Sequence, residues 1–209
     1  MPHPLLEIFR QAEVIPVIRT RSIQTAATAV AWLRETGIRI FEIAMTVPEA
    51  TSLIRALSRD PALIVGAGTV PDAATAEACL DAGAKFLVAP WIDGSLAAPC
   101  QDAGAALMLG AVTPTEVRAA LAAGADAVKV FPASSFGGPV YLKALTSVFP
   151  GVAFCPAGGV DPGNFDAYLD AGAAFVGMGG ALVDEKRILA GDKAAIQAAA
   201  RAVLGQTSA

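Results

Sequence analysis

A recurring pattern, in which a helix-ending glycine precedes a short apolar run, constrains the fold of this 209-residue sequence more than any other feature. The clearest instances have an Ala-Gly or Thr-Gly pair before the run, with the glycines at Gly37, Gly83, Gly104, Gly124 and Gly172. Glycine at a helix end commonly adopts a positive φ that other residues avoid. A short run that is almost entirely apolar is typical of a parallel strand covered on both faces. We therefore expect each glycine to end a helix and lead into a buried strand.

The spacing of these glycines indicates eight units. Three of them are 21 and 20 residues apart, and the longer intervals of 46 and 48 residues each leave room for two units. Strands are predicted at 15–18, 40–44, 63–67, 86–89, 106–110, 127–131, 153–157 and 174–178, each followed by a helical segment. This repeat predicts a single (β/α)8 TIM barrel domain over residues 1–209. An open doubly wound sheet is the alternative, but it usually has fewer strands and an early loop with three glycines, which the segment 65–70 lacks.

Composition disfavours several classes of function. A net charge of −4 gives the chain no overall attraction for nucleic acid or anionic membranes. The single histidine, His3, lies in an N-terminal segment that we expect to be frayed, which disfavours a multi-histidine zinc site and a Ser-His-Asp triad. The three cysteines show no C-x-x-C spacing, so we expect packed thiols in a reduced, cytoplasmic protein. We predict neither a signal peptide nor a membrane span.

Two charged residues interrupt apolar strands near their carboxyl ends, where barrel enzymes hold their active sites. If Val128 and Val130 face the helices, alternation directs Lys129 into the barrel. The same reasoning directs Glu42 inward from the second strand. Burial favours the neutral amine, which is a nucleophile toward ketones, and a neighbouring carboxylate is a candidate general acid/base. A structural Lys–Glu ion pair is the alternative for both residues, and a rim lysine that reaches water is the alternative for Lys129.

Glycine pairs close the seventh and eighth predicted strands, at Gly158, Gly159, Gly179 and Gly180. These two strand ends form the usual phosphate site of β/α barrels, where backbone amides hold the anion. Tight βα turns are the alternative explanation for the glycines. The phosphate-site interpretation is favoured because both pairs fall at the two expected strands.

Arg19 and two threonines are further candidates at strand ends. Arg19 could bind a carboxylate or phosphate group, or it could be a surface arginine that caps a turn. Thr69 could offer its hydroxyl to a substrate anion. Thr113 is placed as a helix N-cap before Pro114 and Glu116, so we predict that its hydroxyl is structural.

The order of these motifs resembles the class I aldolases of the KDPG/KHG aldolase family, where KDPG is 2-keto-3-deoxy-6-phosphogluconate. The resemblance runs from Val14 to about Leu204 and is most specific around Lys129. The motifs that carry it are FEIAMTVPEA, VGAGTV, VAP, TPTE, VKVFPASSFGGPVYLKAL, FCPAGGV and GMGGAL. The resemblance implies a (β/α)8 barrel, a homotrimer, and chemistry that needs no metal or other cofactor.

The same resemblance assigns roles to individual residues. Lys129 matches the Schiff-base lysine, Glu42 the general acid/base, and Thr69 a threonine near the pyruvyl carboxylate. The other matching substrate-binding positions are Pro90, Phe131, Gly158, Gly159 and Gly179. The implied partner is a phosphorylated 2-keto-3-deoxy sugar acid, cleaved to pyruvate and glyceraldehyde 3-phosphate.

Three departures from the family pattern bear on the substrate. Many gluconate-specific members have arginine at the position of Thr46, threonine at that of Ala157 and serine at that of Gly180. The last two help to recognise the gluconate compound, and galactonate-type members carry an apolar residue at the position of Ala157. Arg19 resembles an arginine that serves anion binding in the galactonate-type enzymes. Cleavage of the C4 epimer, 2-dehydro-3-deoxy-6-phosphogalactonate, or of 4-hydroxy-2-oxoglutarate therefore stays open.

Two other classes of function remain as alternatives. One is a phosphate-binding barrel isomerase or synthase that uses Lys129 and Glu42 as acid and base without an imine. The other is a phosphosugar-binding protein without catalysis, although such a protein gains nothing from a desolvated amine.

Overall fold

The computed structural model describes residues 2–204, which form eight parallel strands alternating with helices. The strands are β1 (Val14–Ile18), β2 (Ile40–Ala44), β3 (Ile64–Gly68), β4 (Phe86–Ala89), β5 (Ala106–Gly110), β6 (Ala127–Val130), β7 (Phe154–Pro156) and β8 (Val176–Met178). Hydrogen bonding runs in the order β7-β6-β5-β4-β3-β2-β1-β8, and a bridge between Ala157 and Gly177 joins β7 to β8. The predicted (β/α)8 barrel is confirmed, with strand bounds within two residues of those expected.

The helices surround the barrel and follow the predicted repeat. They are α1 (Leu5–Ala12), α2 (Ile23–Arg34), α3 (Ala50–Leu57), α4 (Ala73–Asp81), α5 (Ala97–Ala103), α6 (Pro114–Ala122), α7 (Gly138–Val148), α8 (Phe165–Asp170), α9 (Glu185–Leu189) and α10 (Lys193–Leu204). The five glycines of the repeat have φ values between 62° and 109°, which confirms their role at helix ends. Within residues 2–204, every helix is too short or too polar to cross a lipid bilayer.

Strand alternation divides the apolar side chains into two layers. Val128 and Val130 belong to the layer between the barrel and its helices, as do Phe41 and Ile43 of β2. The lower barrel interior is filled by Ile15, Ile40, Phe86, Val88, Ala106, Met108, Ala127, Ala153, Cys155 and Phe175. Lys129 alternates with the outer valines, as Glu42 alternates with the outer residues of β2, so both point into the barrel as predicted.

The N-terminal segment is ordered, so the expectation that it is frayed was wrong. Helix α1 closes the amino-terminal end of the barrel and buries Leu6 and Phe9. The Phe9 ring packs edge-on against Phe86 and Phe175, with ring centroids 5.0 and 5.2 Å away. Burying two large apolar side chains is worth about 1.5–3 kcal/mol each, which outweighs the tendency of a terminus to fray. His3 lies at this end of the barrel, where its Nε2 is 3.2 Å from the carbonyl oxygen of Gly104.

Thr113 caps α6, as predicted. Its hydroxyl accepts a hydrogen bond from the backbone N–H of Glu116, and the Glu116 carboxylate accepts one from the backbone N–H of Thr113. The backbone N–H groups of Thr113 and Val112 lower the pKa of the Glu116 carboxyl. The hydroxyl is thereby used within the helix cap.

Candidate active site

Lys129 and Glu42 meet inside the barrel. The Nζ atom of Lys129 donates to Oε1 of Glu42 at 3.1 Å and lies 3.4 Å from Oε2. The strands that carry them, β6 and β2, are four positions apart in either direction around the barrel, so the pair spans its interior. The two side chains are only 5% and 4% exposed. The predicted juxtaposition of an inward lysine and an inward carboxylate is confirmed.

A cavity of about 550 Å³ lies at the carboxyl ends of the strands, and Lys129 is the member of the pair that lines it. The Nζ atom of Lys129 lies 5.9 Å from the centre of the Phe131 ring. Buried ion pairs contribute little net stability, because desolvating two charges offsets most of their attraction. A lysine that faces a cavity of substrate size is therefore better explained by chemistry than by stabilisation of the fold.

Three glycines on the strands allow other groups to approach closely, and one of them makes room for Glu42. In β3, Gly66 leaves space for the Phe86 ring, and Gly68 leaves space for the carboxylate of Glu42. In β5, Gly110 is the register partner of Lys129 and is closely approached by the backbone of Pro90. None of these three glycines is among the predicted site residues. Their signal was present, since glycine within a strand often marks a close approach of another group.

Seven of the nine predicted substrate-binding residues line the same cavity as Lys129. They are Arg19, Phe131, Ala157, Gly158, Gly159, Gly179 and Gly180. Val17, Val160, Asp161, Gly177 and Ala181 also line it and were not predicted. Thr69 and Pro90 do not line it. Pro90 instead borders a smaller cavity of about 180 Å³ with Trp91 and Gly110, so its contact with a substrate stays a prediction.

Thr69 does not line the cavity itself, but it is hydrogen-bonded to Arg19, which does. The guanidinium Nη2 of Arg19 donates to the Thr69 hydroxyl at 3.0 Å, which joins the ends of β1 and β3 across the barrel mouth. Thr69 has a φ of 57°, in the left-handed region that a β-branched residue rarely adopts. Such strain tends to occur at ligand-binding positions. The contact places the Arg19 charge at the mouth rather than on a turn at the outer surface.

The turn after β7 is fixed by an asparagine. Gly158 and Gly159 have φ values of 83° and 79°, which favour glycine at both positions. The Asn164 side chain donates to the carbonyl oxygen of Gly159 at 2.9 Å and accepts from the backbone N–H of Asp161 at 3.0 Å. Sequence reasoning missed Asn164, although an asparagine shortly after a glycine pair is a common turn signal.

The glycine turns have backbone donors available for an anion. Within the part of the chain that the structure describes, the backbone N–H groups of Gly159, Gly179 and Gly180 donate no hydrogen bond to a backbone acceptor in a turn or loop. These three residues line the cavity. Unpaired backbone N–H groups at this end of a barrel are suited to bind a phosphate group.

Cys155 is the register partner of Lys129 and lies beside the contact between Lys129 and Glu42. Burial raises the pKa of its thiol to about 12, with the Glu42 charge acting in the same direction and Lys129 opposing it. The thiol is thus neutral near pH 7 and is a poor nucleophile. Among residues 2–204, no group of three or more His, Cys, Asp or Glu side chains is placed to hold a metal ion.

Comparison with known proteins agrees with this geometry. The family model described as KDPG and KHG aldolase matches residues 5–199. The chain is 32% identical to 2-dehydro-3-deoxy-phosphogluconate aldolase of Pseudoalteromonas atlantica, over 89% of this chain and 87% of that one. It is 35% identical to a Rhizobium meliloti protein named "Probable 2-dehydro-3-deoxy-6-phosphogalactonate aldolase", over 81% of each.

A solved structure is similar over nearly the whole barrel. It is KDPG aldolase from Legionella pneumophila, with pyruvate captured at low pH as a covalent carbinolamine intermediate. The two chains are 32% identical and superpose with a TM-score of 0.86, over 95% of this chain and 97% of that one.

Proposed function

This chain belongs to the KDPG and KHG aldolase family, and from that premise we propose that it cleaves 2-dehydro-3-deoxy-6-phosphogluconate to pyruvate and glyceraldehyde 3-phosphate. The chain is an aldolase and therefore a carbon–carbon lyase. The observation that carries the proposed chemistry is the buried contact between Lys129 and Glu42 at the edge of the cavity. We propose Lys129 as the Schiff-base lysine and Glu42 as the general acid/base.

The first half of the proposed reaction forms and uses an imine. Lys129 transfers a proton to Glu42 or to water, and the neutral amine attacks C2 of the substrate. The proton taken from Lys129 is returned to the C2 oxygen, which leaves as water, and the resulting iminium ion attracts electrons from C3. Glu42, as carboxylate, removes the proton from the C4 hydroxyl, directly or through a water molecule. The C3–C4 bond then breaks, its electron pair enters the enamine, and glyceraldehyde 3-phosphate leaves.

The second half releases pyruvate. Glu42, now protonated, returns a proton to C3 of the enamine and regenerates the iminium ion. Water adds to C2, the carbinolamine collapses, and pyruvate leaves with Lys129 as the free amine. The iminium ion serves as the electron sink for C3–C4 cleavage, so this route requires no metal or other cofactor.

We propose two anion subsites for the substrate. The phosphate group lies at the turns formed by the glycine pairs at 158–159 and 179–180, because Gly159, Gly179 and Gly180 offer unpaired N–H groups on the cavity wall. The carboxylate lies toward Thr69 and Arg19, whose guanidinium is the positive charge nearest that hydroxyl. Phe131 and Pro90 are proposed as apolar walls on the carboxyl side of β6 and β4.

A second substrate has a specific observation in its favour. Ala157 lines the cavity and offers no hydroxyl, and neither does Gly180. The Rhizobium meliloti relative carries a galactonate aldolase name, so cleavage of the C4 epimer is the alternative. Cleavage of 4-hydroxy-2-oxoglutarate is a further alternative, because the imine chemistry requires no phosphate. Measuring pyruvate release from all three compounds with one enzyme preparation ranks them by kcat/KM.

We further propose a homotrimer located in the cytoplasm. Candidates for the subunit contact are Trp91, Phe136 and Val140, whose apolar side chains are 44%, 49% and 82% exposed in the single chain. Analytical ultracentrifugation tests the oligomer, and a monomer at micromolar concentration would contradict it.

Trapping with borohydride tests the proposed function directly. Borohydride added with pyruvate should inactivate the protein and leave a reduced pyruvyl adduct on Lys129, as located by mass spectrometry. An isomerase or synthase that works without an imine would stay active and unlabelled. A binding protein without catalysis would show saturable ligand binding and no release of pyruvate.

A further inference from the structure

The space that Gly68 leaves in β3 is filled by the Glu42 carboxylate. A Cβ atom built at position 68 would overlap Oε1 of Glu42 and lie 2.7 Å from its Cδ and Cγ atoms. Real Cβ atoms essentially never approach other heavy atoms closer than 3.0 Å. Any side chain at position 68 therefore requires the carboxylate to move.

We propose that Gly68 is a positioning residue for the reaction, because its missing side chain lets the Glu42 carboxylate lie across β3 within reach of Lys129. The inference rests on the proposed function, in which Glu42 moves protons for the Lys129 imine. It adds a requirement that lies outside Lys129 and Glu42: β3, the strand next to β2, has to lack a side chain at position 68.

Backbone conformation does not account for glycine at this position. Gly68 pairs in regular parallel register with Ala44 of β2 and Val88 of β4, and its φ lies outside the left-handed region. Alanine could adopt the same backbone conformation without strain. Glycine is therefore required at position 68 because the Glu42 side chain occupies the space that a Cβ atom would fill.

Gly66, two residues earlier, provides a contrast. Its missing side chain makes room for the Phe86 ring, in the apolar interior below the reactive pair. A larger residue at 66 would disturb packing, whereas a larger residue at 68 would disturb a functional carboxylate. The two glycines of one strand therefore serve different purposes.

A displaced carboxylate should affect one stage of the reaction more than the other. Glu42 is held by Lys129 on one side and lies against β3 on the other, so an added methyl group at 68 pushes it out of its present contact. Lys129 stays on β6, in register with Gly110 and Cys155, and keeps its access to the cavity. Imine formation should survive, and proton transfer at C3 should slow.

Exchange of the pyruvate methyl protons with deuterium, followed by NMR in heavy water, measures that proton transfer. We expect Gly68→Ala to exchange about 10²-fold more slowly than wild type, since general acid/base catalysis contributes 10²–10⁴-fold. Borohydride should still trap pyruvate on the variant. Gly94→Ala is the matched control, because a Cβ atom at 94 would meet only Ala123, at an ordinary distance of 3.8 Å. Exchange by Gly68→Ala at the wild-type rate would overturn the inference.

A double-mutant cycle covers the possibility that Gly68→Ala folds poorly. In a Glu42→Ala background the space over position 68 is empty, so adding Gly68→Ala should leave the midpoint of thermal unfolding unchanged. In the wild-type background the same substitution should lower the midpoint. An equal loss in both backgrounds would show that Gly68 acts through something other than Glu42 and would overturn the inference.

The two experiments distinguish this inference from the proposed function. A wild-type protein that neither traps nor exchanges pyruvate overturns the proposed function. If the wild-type protein does both and the Gly68→Ala variant exchanges pyruvate protons at the same rate, only the inference is overturned.

Discussion

The amine of Lys129 contacts the carboxylate of Glu42 at 3.1 Å, although the two residues are 87 positions apart in the chain. The contact crosses the barrel interior. Its lysine lines the cavity that the glycine turns at 158–159 and 179–180 also line. The proposed nucleophile, the proposed proton carrier and the N–H groups proposed to bind an anion thus lie together at one end of the barrel. The family assignment and this contact are mutually consistent, and the predictions below test the roles of the individual groups.

Replacing Lys129 with methionine should abolish cleavage and borohydride labelling with pyruvate, because methionine keeps an apolar chain of similar length without the amine. A coupled assay for pyruvate and mass spectrometry provide the two measurements. Lys143→Met is the control, since Lys143 lies exposed on α7. Cleavage by Lys129→Met at the wild-type rate would contradict the imine mechanism.

Replacing Glu42 with glutamine should slow cleavage by about 10²–10⁴-fold and leave the imine able to form. Glutamine has nearly the same shape as glutamate but cannot accept and return a proton in this way. Rapid-quench measurement of the imine alongside steady-state cleavage separates the two steps. Unimpaired turnover in this variant would assign the proton transfers to another group.

Replacing Arg19 with glutamine should raise KM for the phosphorylated substrate about 10- to 100-fold, because charge-assisted hydrogen bonds contribute about 1.5–3 kcal/mol. If Arg19 binds the carboxylate, as proposed, KM for pyruvate in the exchange reaction should rise too. A rise confined to the phosphorylated substrate would place Arg19 at the phosphate instead. Arg21→Gln is a suitable control, because the Arg21 side chain is 94% exposed.

Replacing Thr113 with alanine should lower the free energy of unfolding by about 1 kcal/mol and leave kcat and KM unchanged. The hydroxyl caps α6 and has no place in the proposed chemistry. Urea denaturation gives the stability change, and the coupled assay gives the kinetics. A drop in kcat without a drop in stability would mean that the hydroxyl contacts the substrate.

Stability should fall as the pH rises above about 9. Burial raises the pKa of the thiols from 9.0 to about 11 in Cys79 and to about 12 in Cys100 and Cys155. The thiols ionise first in the unfolded chain, so their contribution is complete below pH 9 and is lost as the pH climbs toward 11 or 12. Urea denaturation between pH 8 and 10.5 measures the decline, which Cys79→Ala should make shallower. A flat profile in the wild-type protein would contradict the expectation.

Much of the fold could be predicted from the sequence because the relevant signals are local. A glycine at a helix end and an apolar run after it act over a few residues, and the repeat of that signal counts the units. Strand alternation is also local, and it directed Lys129 and Glu42 inward from their neighbours alone. The glycine pairs at 158–159 and 179–180 were placed by the same reasoning.

The tertiary structure alone decided which groups touch. The contact of Lys129 with Glu42, the hydrogen bond of Arg19 to Thr69 and the fit of Gly68 under the carboxylate all join different strands. Helix α1 likewise formed because Phe9 meets rings carried by β4 and by the segment before β8. Such distances depend on how eight strands are staggered and tilted when the barrel closes, and that geometry is fixed by all of the strand pairings together. A periodic sequence specifies which face of a strand a side chain occupies, but closure of the ring sets what stands opposite it.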